Sequence, residues 1–175
     1  GLHSNGYSLV RSVVARTGLP LEAKVEEFGR TLGEELLEPT RLYTKLCLDM
    51  VDTLGAGEGA SGIHAFSHVT GGGLGANLSR VLPLGAVADV DRAIVPPVFD
   101  WVRRGGSVTW TGMEDSLNLG VGMVGVVGAQ SAEEVLRISR AAGVDAWVLG
   151  EVSFPSELPV DSGTFEGRVV SGTKG

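Results

Sequence analysis

The stretch His64-Ala65-Phe66-Ser67-His68-Val69-Thr70-Gly71-Gly72-Gly73-Leu74-Gly75-Ala76-Asn77-Leu78 constrains the fold more than any other part of the chain. It opens as an apolar strand, breaks at three successive glycines and resumes with helical spacing. Glycines end a strand because they carry no side chain and accept positive φ, and the helix behind them directs its positive end at the turn. Such a turn leaves backbone N–H groups uncovered, which is what an anion such as phosphate needs when no lysine is at hand. Glycine triplets also form plain tight turns, so on these residues alone a phosphate loop and a simple turn stand side by side.

At 175 residues the chain is long enough for one domain with a complete core. Its 27 glycines are scattered rather than gathered in a low-complexity tract, which argues for a globular domain. A net charge of −7 with no Lys/Arg cluster excludes a nucleic-acid footprint. Lone Cys47 lies in an apolar helical pattern and reads as a small buried hydrophobe. No apolar run approaches the roughly 20 residues of a membrane span, and no basic segment with an apolar run opens the chain, so a cytoplasmic protein without a membrane partner is expected. Because Gly1 opens directly within a turn-rich motif, the chain reads as a piece of something longer.

Apolar spacing predicts a first helix from Asn5 as N-cap through Leu9, Val10, Val13 and Val14 to Gly18. Residues 21–38, rich in glutamate, read as an exposed excursion. Leu42, Tyr43, Leu46, Cys47, Met50, Val51 and Leu54 form one helical stripe behind Pro39. Further on, the pattern predicts a strand from Ile63, a helix over 76–81, a strand over 87–91 and a helix opened by Pro96 and Pro97 and closed by Gly105 and Gly106. A long apolar strand is expected over 117–127. A capping box of Ser131 and Glu134 starts a helix over 132–142, and a strand follows over 146–152. The expected class is α/β, of the layered α+β kind, with a mixed β-sheet packed against helices. Residues 1–152 form that domain, and 153–175 a loose polar tail with an edge strand at Val169 and Val170.

The chemistry-bearing residues are few. His64 and His68 share one strand face, but Asp49, Asp52 and Glu58 supply no recognisable ligand spacing, so no metal site is assigned. His68 stands two residues before the glycine turn, where it can lend a hydrogen bond or a proton to whatever the turn holds. On spacing alone, His3 with Ser4, Asn5 and Gly6 is only the loop before a helix. Asn118 interrupts an apolar run and needs a partner, either a ligand or a neighbouring strand. There is no GxxxxGK[ST] loop and no G-x-S-x-G elbow, and with only Lys24, Lys45 and Lys174 an autonomous ATPase of the first kind is excluded.

Seven segments in order carry a family resemblance: Gly1-Leu2-His3-Ser4-Asn5-Gly6-Tyr7-Ser8-Leu9-Val10-Arg11, Pro39-Thr40-Arg41-Leu42-Tyr43-Thr44-Lys45, His68-Val69-Thr70-Gly71-Gly72-Gly73-Leu74-Gly75-Ala76-Asn77-Leu78, Arg80-Val81-Leu82-Pro83, Pro96-Pro97-Val98-Phe99-Asp100-Trp101, Leu117-Asn118-Leu119-Gly120-Val121-Gly122-Met123 and Ala146-Trp147-Val148-Leu149-Gly150-Glu151-Val152. Together they resemble the C-terminal half of the phosphoribosylformylglycinamidine cyclo-ligases, also called aminoimidazole ribonucleotide synthetases. The resemblance implies an enzyme of purine biosynthesis that uses ATP to activate the formyl oxygen of formylglycinamidine ribonucleotide before the imidazole ring closes. It implies a homodimer whose ATP and Mg2+ are bound mainly by an N-terminal half absent here, so that this half alone should not turn over. His3 and His68 would be catalytic. Thr70, Gly71, Gly72, Gly73 and Asn77 would hold the substrate phosphate, with Ser4, Asn5 and Asn118 as neighbouring substrate contacts. The segment Met113-Glu114-Asp115-Ser116-Leu117 departs from a more basic and aromatic version in that family. Two other readings remain: a related synthetase of the same superfamily, of the formylglycinamidine, selenophosphate or hydrogenase-maturation type, and a non-catalytic phosphate-binding scaffold. The Gly-Leu-His-Ser-Asn-Gly loop followed by the triple glycine favours the cyclo-ligase.

Overall fold

A computed structural model describes residues 1–57, 59–91, 94–159, 164–165 and 168–171. The first helix, α1 (Tyr7–Thr17), buries Val10 and Val13 and is closed by Gly18 in the left-handed region, as its spacing requires. Its N-cap is Gly6 at φ 74°, not Asn5, and no side chain caps the first turn. Packing explains the glycine: a Cβ on Gly6 would lie 2.1 Å from Cδ2 of Leu117.

Segment 21–38 is more than an exposed excursion. Strands β1 (Lys24–Val25) and β2 (Arg30–Thr31) pair antiparallel. Helix α2 (Leu32–Leu36) follows, opened by a complete capping box in which Thr31 and Glu34 serve each other's backbone N–H. Leu32 is fully buried, and the Tyr7 hydroxyl donates to the Leu36 carbonyl, tying the segment to α1. Buried Val25 and Leu32 are too few among the polar residues to make a periodicity, which is why the segment reads as exposed. Helix α3 (Thr44–Leu54) starts after Leu42, and of its apolar stripe only Met50 is fully buried.

Strand β3 (Ile63–His68), the glycine turn, helix α4 (Gly73–Ser79) and strand β4 (Val87–Val90) follow in the expected order. Helix α5 (Pro97–Gly106) carries Pro97 in its first turn and runs through Gly105 and Gly106 to Ser107. Those glycines were expected to end it. Instead they let α1 approach, since a Cβ on Gly105 would lie 2.6 Å from Cγ1 of Val13. Helix α6 (Trp110–Glu114) leads into the segment expected to be one long strand. Left-handed residues Leu119 (φ 47°) and Gly120 (φ 99°) break it, and only β5 (Met123–Val127) is extended.

Helix α7 (Ala132–Ala141) lacks the expected box. The Ser131 hydroxyl oxygen accepts from the Gly62 N–H at 2.8 Å, and Glu134 pairs with Arg137 at 2.6 Å. Tertiary demand for a loop acceptor has overridden the local cap. Strand β6 (Gly150–Ser153) begins later than the pattern predicted, and short strands β7 (Thr164–Phe165) and β8 (Arg168–Ser171) complete the set.

Strands β3 and β5 form a two-stranded antiparallel sheet in which His68 stands opposite Met123. Besides this pair and the β1-β2 pair, a four-stranded sheet runs β6-β4-β8-β7 and is mixed, with β4 antiparallel to β6 and parallel to β8. This agrees with the expected α/β class. Residues 169 and 170 are not on an edge: they pair with Val87 and Ala88, and β7 flanks their strand on the other side. The remaining tail positions, 160–163, 166–167 and 172–175, lie outside the described residues.

Among the described residues two hydrophobic clusters organise the core. One joins the N-terminal loop, α1, α5 and α6; the other joins α4 to β4 and Val170. Segment 117–121 serves both, giving Leu117 and Leu119 to the first and Val121 to the second. Among the described residues no helix is long and apolar enough to cross a membrane.

Candidate functional site

Three rings from distant segments meet beside the glycine turn. His3 comes from the N-terminal loop, Tyr43 from the residue before α3, and His68 from the last position of β3. Their centroids are 5.9 Å (His3–Tyr43), 6.1 Å (His3–His68) and 5.9 Å (Tyr43–His68) apart. The Tyr43 hydroxyl lies 3.4 Å from Nε2 of His3.

Each ring is fixed by its own stretch of backbone. His3 adopts a left-handed conformation at φ 58°, beside fully buried Leu2. The ladder of β3 and β5 continues past His68, with the Val69 N–H donating to the Gly122 carbonyl at 3.0 Å. That places Gly122 under the rings, where a Cβ would lie 2.1 Å from the Tyr43 hydroxyl oxygen and 2.4 Å from Cε1 of His3. Here the absent side chain is the space the cluster occupies.

His3 is buried at 9% exposure, whereas His68 is exposed. Burial holds the His3 imidazole below its ordinary value, helped by His68 and Arg41. Burial pushes the Tyr43 phenol up, a push that Arg41 opposes. At neutral pH the centre therefore holds a neutral imidazole and an intact phenol, with a second imidazole facing solvent.

The glycine turn is less open than its sequence suggests. The Gly72 N–H donates to the Asp115 carbonyl and the Gly73 N–H to the Thr70 carbonyl, both at 3.1 Å, so neither is left for an anion. Gly73 is glycine for packing, because a Cβ there would sit 1.6 Å from the Glu114 carbonyl oxygen. Gly71 is the exposed member, and the nearest atom to a Cβ on it is Oδ1 of Asn5, at 3.9 Å.

Asn77 braces this turn from inside, its Nδ2 donating to the carbonyls of Thr70, Gly71 and Gly73 at 3.3, 3.2 and 2.7 Å. Its Oδ1 accepts from the Thr70 hydroxyl and from Arg80, at 3.2 and 3.1 Å. Thr70 and Asn77 thus shape the loop, Asn77 from a buried position and Thr70 from a half-buried one. We expect Asn77→Leu to lower unfolding free energy by about 2–3 kcal/mol, since buried carbonyls lose their donor; a urea titration checks it.

Asn118, expected as a substrate contact, is engaged by backbone. Its Nδ2 reaches the carbonyls of Gly1 and Leu2 at 3.4 and 3.5 Å, and its Oδ1 accepts from the Gly120 N–H at 2.8 Å. It is buried, and it ties the His3 loop to the segment shared by both clusters. The Ser4 hydroxyl is hydrogen-bonded to that of Thr40 at 2.8 Å. His64 stays apart from the cluster, with Nδ1 3.0 Å from the Gly57 carbonyl oxygen, and a register shift between Ile63 and Ala65 breaks the strict alternation of β3. Among the described residues no group of three His, Cys, Asp or Glu could hold a metal ion.

Two residues beyond the sequence-derived set belong here. In the sequence Tyr43 reads as part of the stripe of α3, and an aromatic at a helix start facing two histidines is visible only in three dimensions. Arg80 is an exposed cation anchored on Asn77, three residues after it, and that spacing on a helix was the available signal.

Residues 1–157 match the family described as AIR synthase related protein, C-terminal domain. A Streptomyces fradiae protein named "Putative phosphoribosylformylglycinamidine cyclo-ligase" is 51% identical over 156 residues, covering 87% of this chain and 82% of that protein. The phosphoribosylformylglycinamidine cyclo-ligase of Sorangium cellulosum is 41% identical over 175 residues, covering 98% of this chain. The chain spans about half of that second relative, 47% of its length. With a mixed sheet, its helices, and the histidine loop and glycine turn brought together, the chain belongs to the AIR synthase related proteins as their C-terminal domain.

Proposed function

We propose that this chain is the C-terminal half of a phosphoribosylformylglycinamidine cyclo-ligase, which closes formylglycinamidine ribonucleotide to aminoimidazole ribonucleotide at the expense of ATP. The observation that carries this reading is the meeting of His3 and His68 beside the glycine turn, from segments 65 positions apart in the chain. Ring closure requires an amidine nitrogen to attack the formyl carbon and lose a proton, while the formyl oxygen, activated by ATP, departs as phosphate. Exposed His68 is the group able to take that proton, and neutral His3 is its buried neighbour. Gly71, Asn5 and the guanidinium of Arg80 face the substrate's ribose phosphate, on a loop shaped by Thr70, Gly72, Gly73 and Asn77.

By the same reading ATP and Mg2+ are bound mainly by an N-terminal half, and the complete enzyme is a homodimer. The working enzyme is cytoplasmic, with the substrate at the junction of its halves.

Titration with formylglycinamidine ribonucleotide, followed by backbone amide shifts, tests the assignment. Saturable shifts at Asn5, His68 and Gly71 are expected. Saturable shifts confined to some other surface would overturn it.

A further inference from the structure

Resting on that reading, we propose that Tyr43 is a positioning residue of the ring-closing centre, its hydroxyl setting the tautomer of His3 while its ring holds His68 in place. The first support is rigidity. Tyr43 is the N-cap of α3, and its carbonyl accepts the Cys47 N–H at 2.9 Å, so the ring is rooted on the first helical turn.

The second support is that the phenol stands against both histidines at once. It meets His68 edge-on at an interplanar angle of 62° and His3 at a tilt of 54°. The third is the room made for it: Gly122 carries no side chain where a Cβ would collide with the Tyr43 hydroxyl and with His3.

The fourth concerns protons. Among the described residues Nδ1 of His3 is buried with no hydrogen-bond partner, while Nε2 faces the Tyr43 hydroxyl. A neutral imidazole carries one N–H, and a buried N–H without an acceptor costs more than a buried bare lone pair. The proton therefore sits on Nε2 and is donated to the Tyr43 oxygen. The phenol keeps its own O–H for His68 or the substrate. The 3.4 Å separation is long for such a bond and suits a centre that tightens when substrate arrives.

The test is Tyr43→Phe in the intact enzyme, with the ATP-binding half present. The change removes one oxygen and retains the ring, and circular dichroism and the thermal midpoint verify the fold. Two readouts are taken: side-chain 15N–1H spectra of His3 without substrate, and steady-state kinetics. The parent protein is expected to show the Nε2–H tautomer and the variant a mixture of both. The kcat is expected to fall about 10- to 100-fold with KM for the ribonucleotide within about twofold.

A parent His3 in the Nδ1–H form overturns the proposal without any variant. So does a variant in which either the tautomer or kcat is unmoved, since a purely structural tyrosine would leave the tautomer alone. The spectra need no turnover, so they separate this outcome from failure of the functional reading, which full activity in His68→Ala would reveal.

Discussion

His68→Ala is expected to lower kcat for ring closure by about 10²- to 10⁴-fold, the range that a positioned acid or base contributes. The residue ends β3, opposite Met123, with its side chain exposed. It is thus the imidazole of the cluster that a substrate on the neighbouring turn can reach. Losing an exposed side chain opens no cavity, and the ladder around it is backbone, so the thermal midpoint should move little. That combination distinguishes a chemical role from a structural one. Kinetics of the complete enzyme together with a melting curve decide it, and near-full turnover with an intact fold would remove His68 from the mechanism.

The second large effect falls on stability. Gly73→Ala should cost about 4 kcal/mol or more, because backbone strain and overpacking act at the same atom. Gly73 sits at φ 69°, and the new Cβ would lie 1.6 Å from the Glu114 carbonyl oxygen. That oxygen belongs to backbone at the end of α6, so no rotamer change relieves the overlap. Against a usual total of about 5–15 kcal/mol, such a loss leaves little folded protein at 37 °C. Urea unfolding measures it. Gly71→Ala is the matched control: it meets only Asn5 Oδ1, at 3.9 Å, and should keep the fold while weakening ribonucleotide binding. If Gly73→Ala unfolds at the same urea concentration as the parent, the close approach of α4 to α6 is wrong.

Much of this architecture was legible from residue order. Pro97 opens α5, Gly18 closes α1, and the strand from Ile63 stops at the glycines, because each of these depends on neighbours within a turn or two. The same local rules failed where a distant partner had a stronger claim. Ser131 abandons its own helix for the Gly62 N–H, and Gly105 and Gly106 stay helical at a place where a Cβ on either would crowd Val13 of α1. Leu119 and Gly120 turn a continuous apolar run into a bend, with Gly120 against Pro96.

The site divides along the same line. Histidines next to glycine loops, and the motifs around them, could be read in the chain and placed it in its family. Which polar atoms remain for a ligand could not be read, because hydrogen bonds are allotted only after folding. Asn118 and Asn77 serve carbonyls, Gly72 and Gly73 serve the turn, and Gly71, Asn5 and Arg80 stay near the surface. Tyr43 came to the centre for a reason no one-dimensional pattern contains. Gly122 leaves a space 79 positions further along the chain, and the ladder between β3 and β5 sets that space under the rings of His3 and Tyr43. Local chemistry chose the residue types and the elements, while long-range packing chose which of those residues face one another.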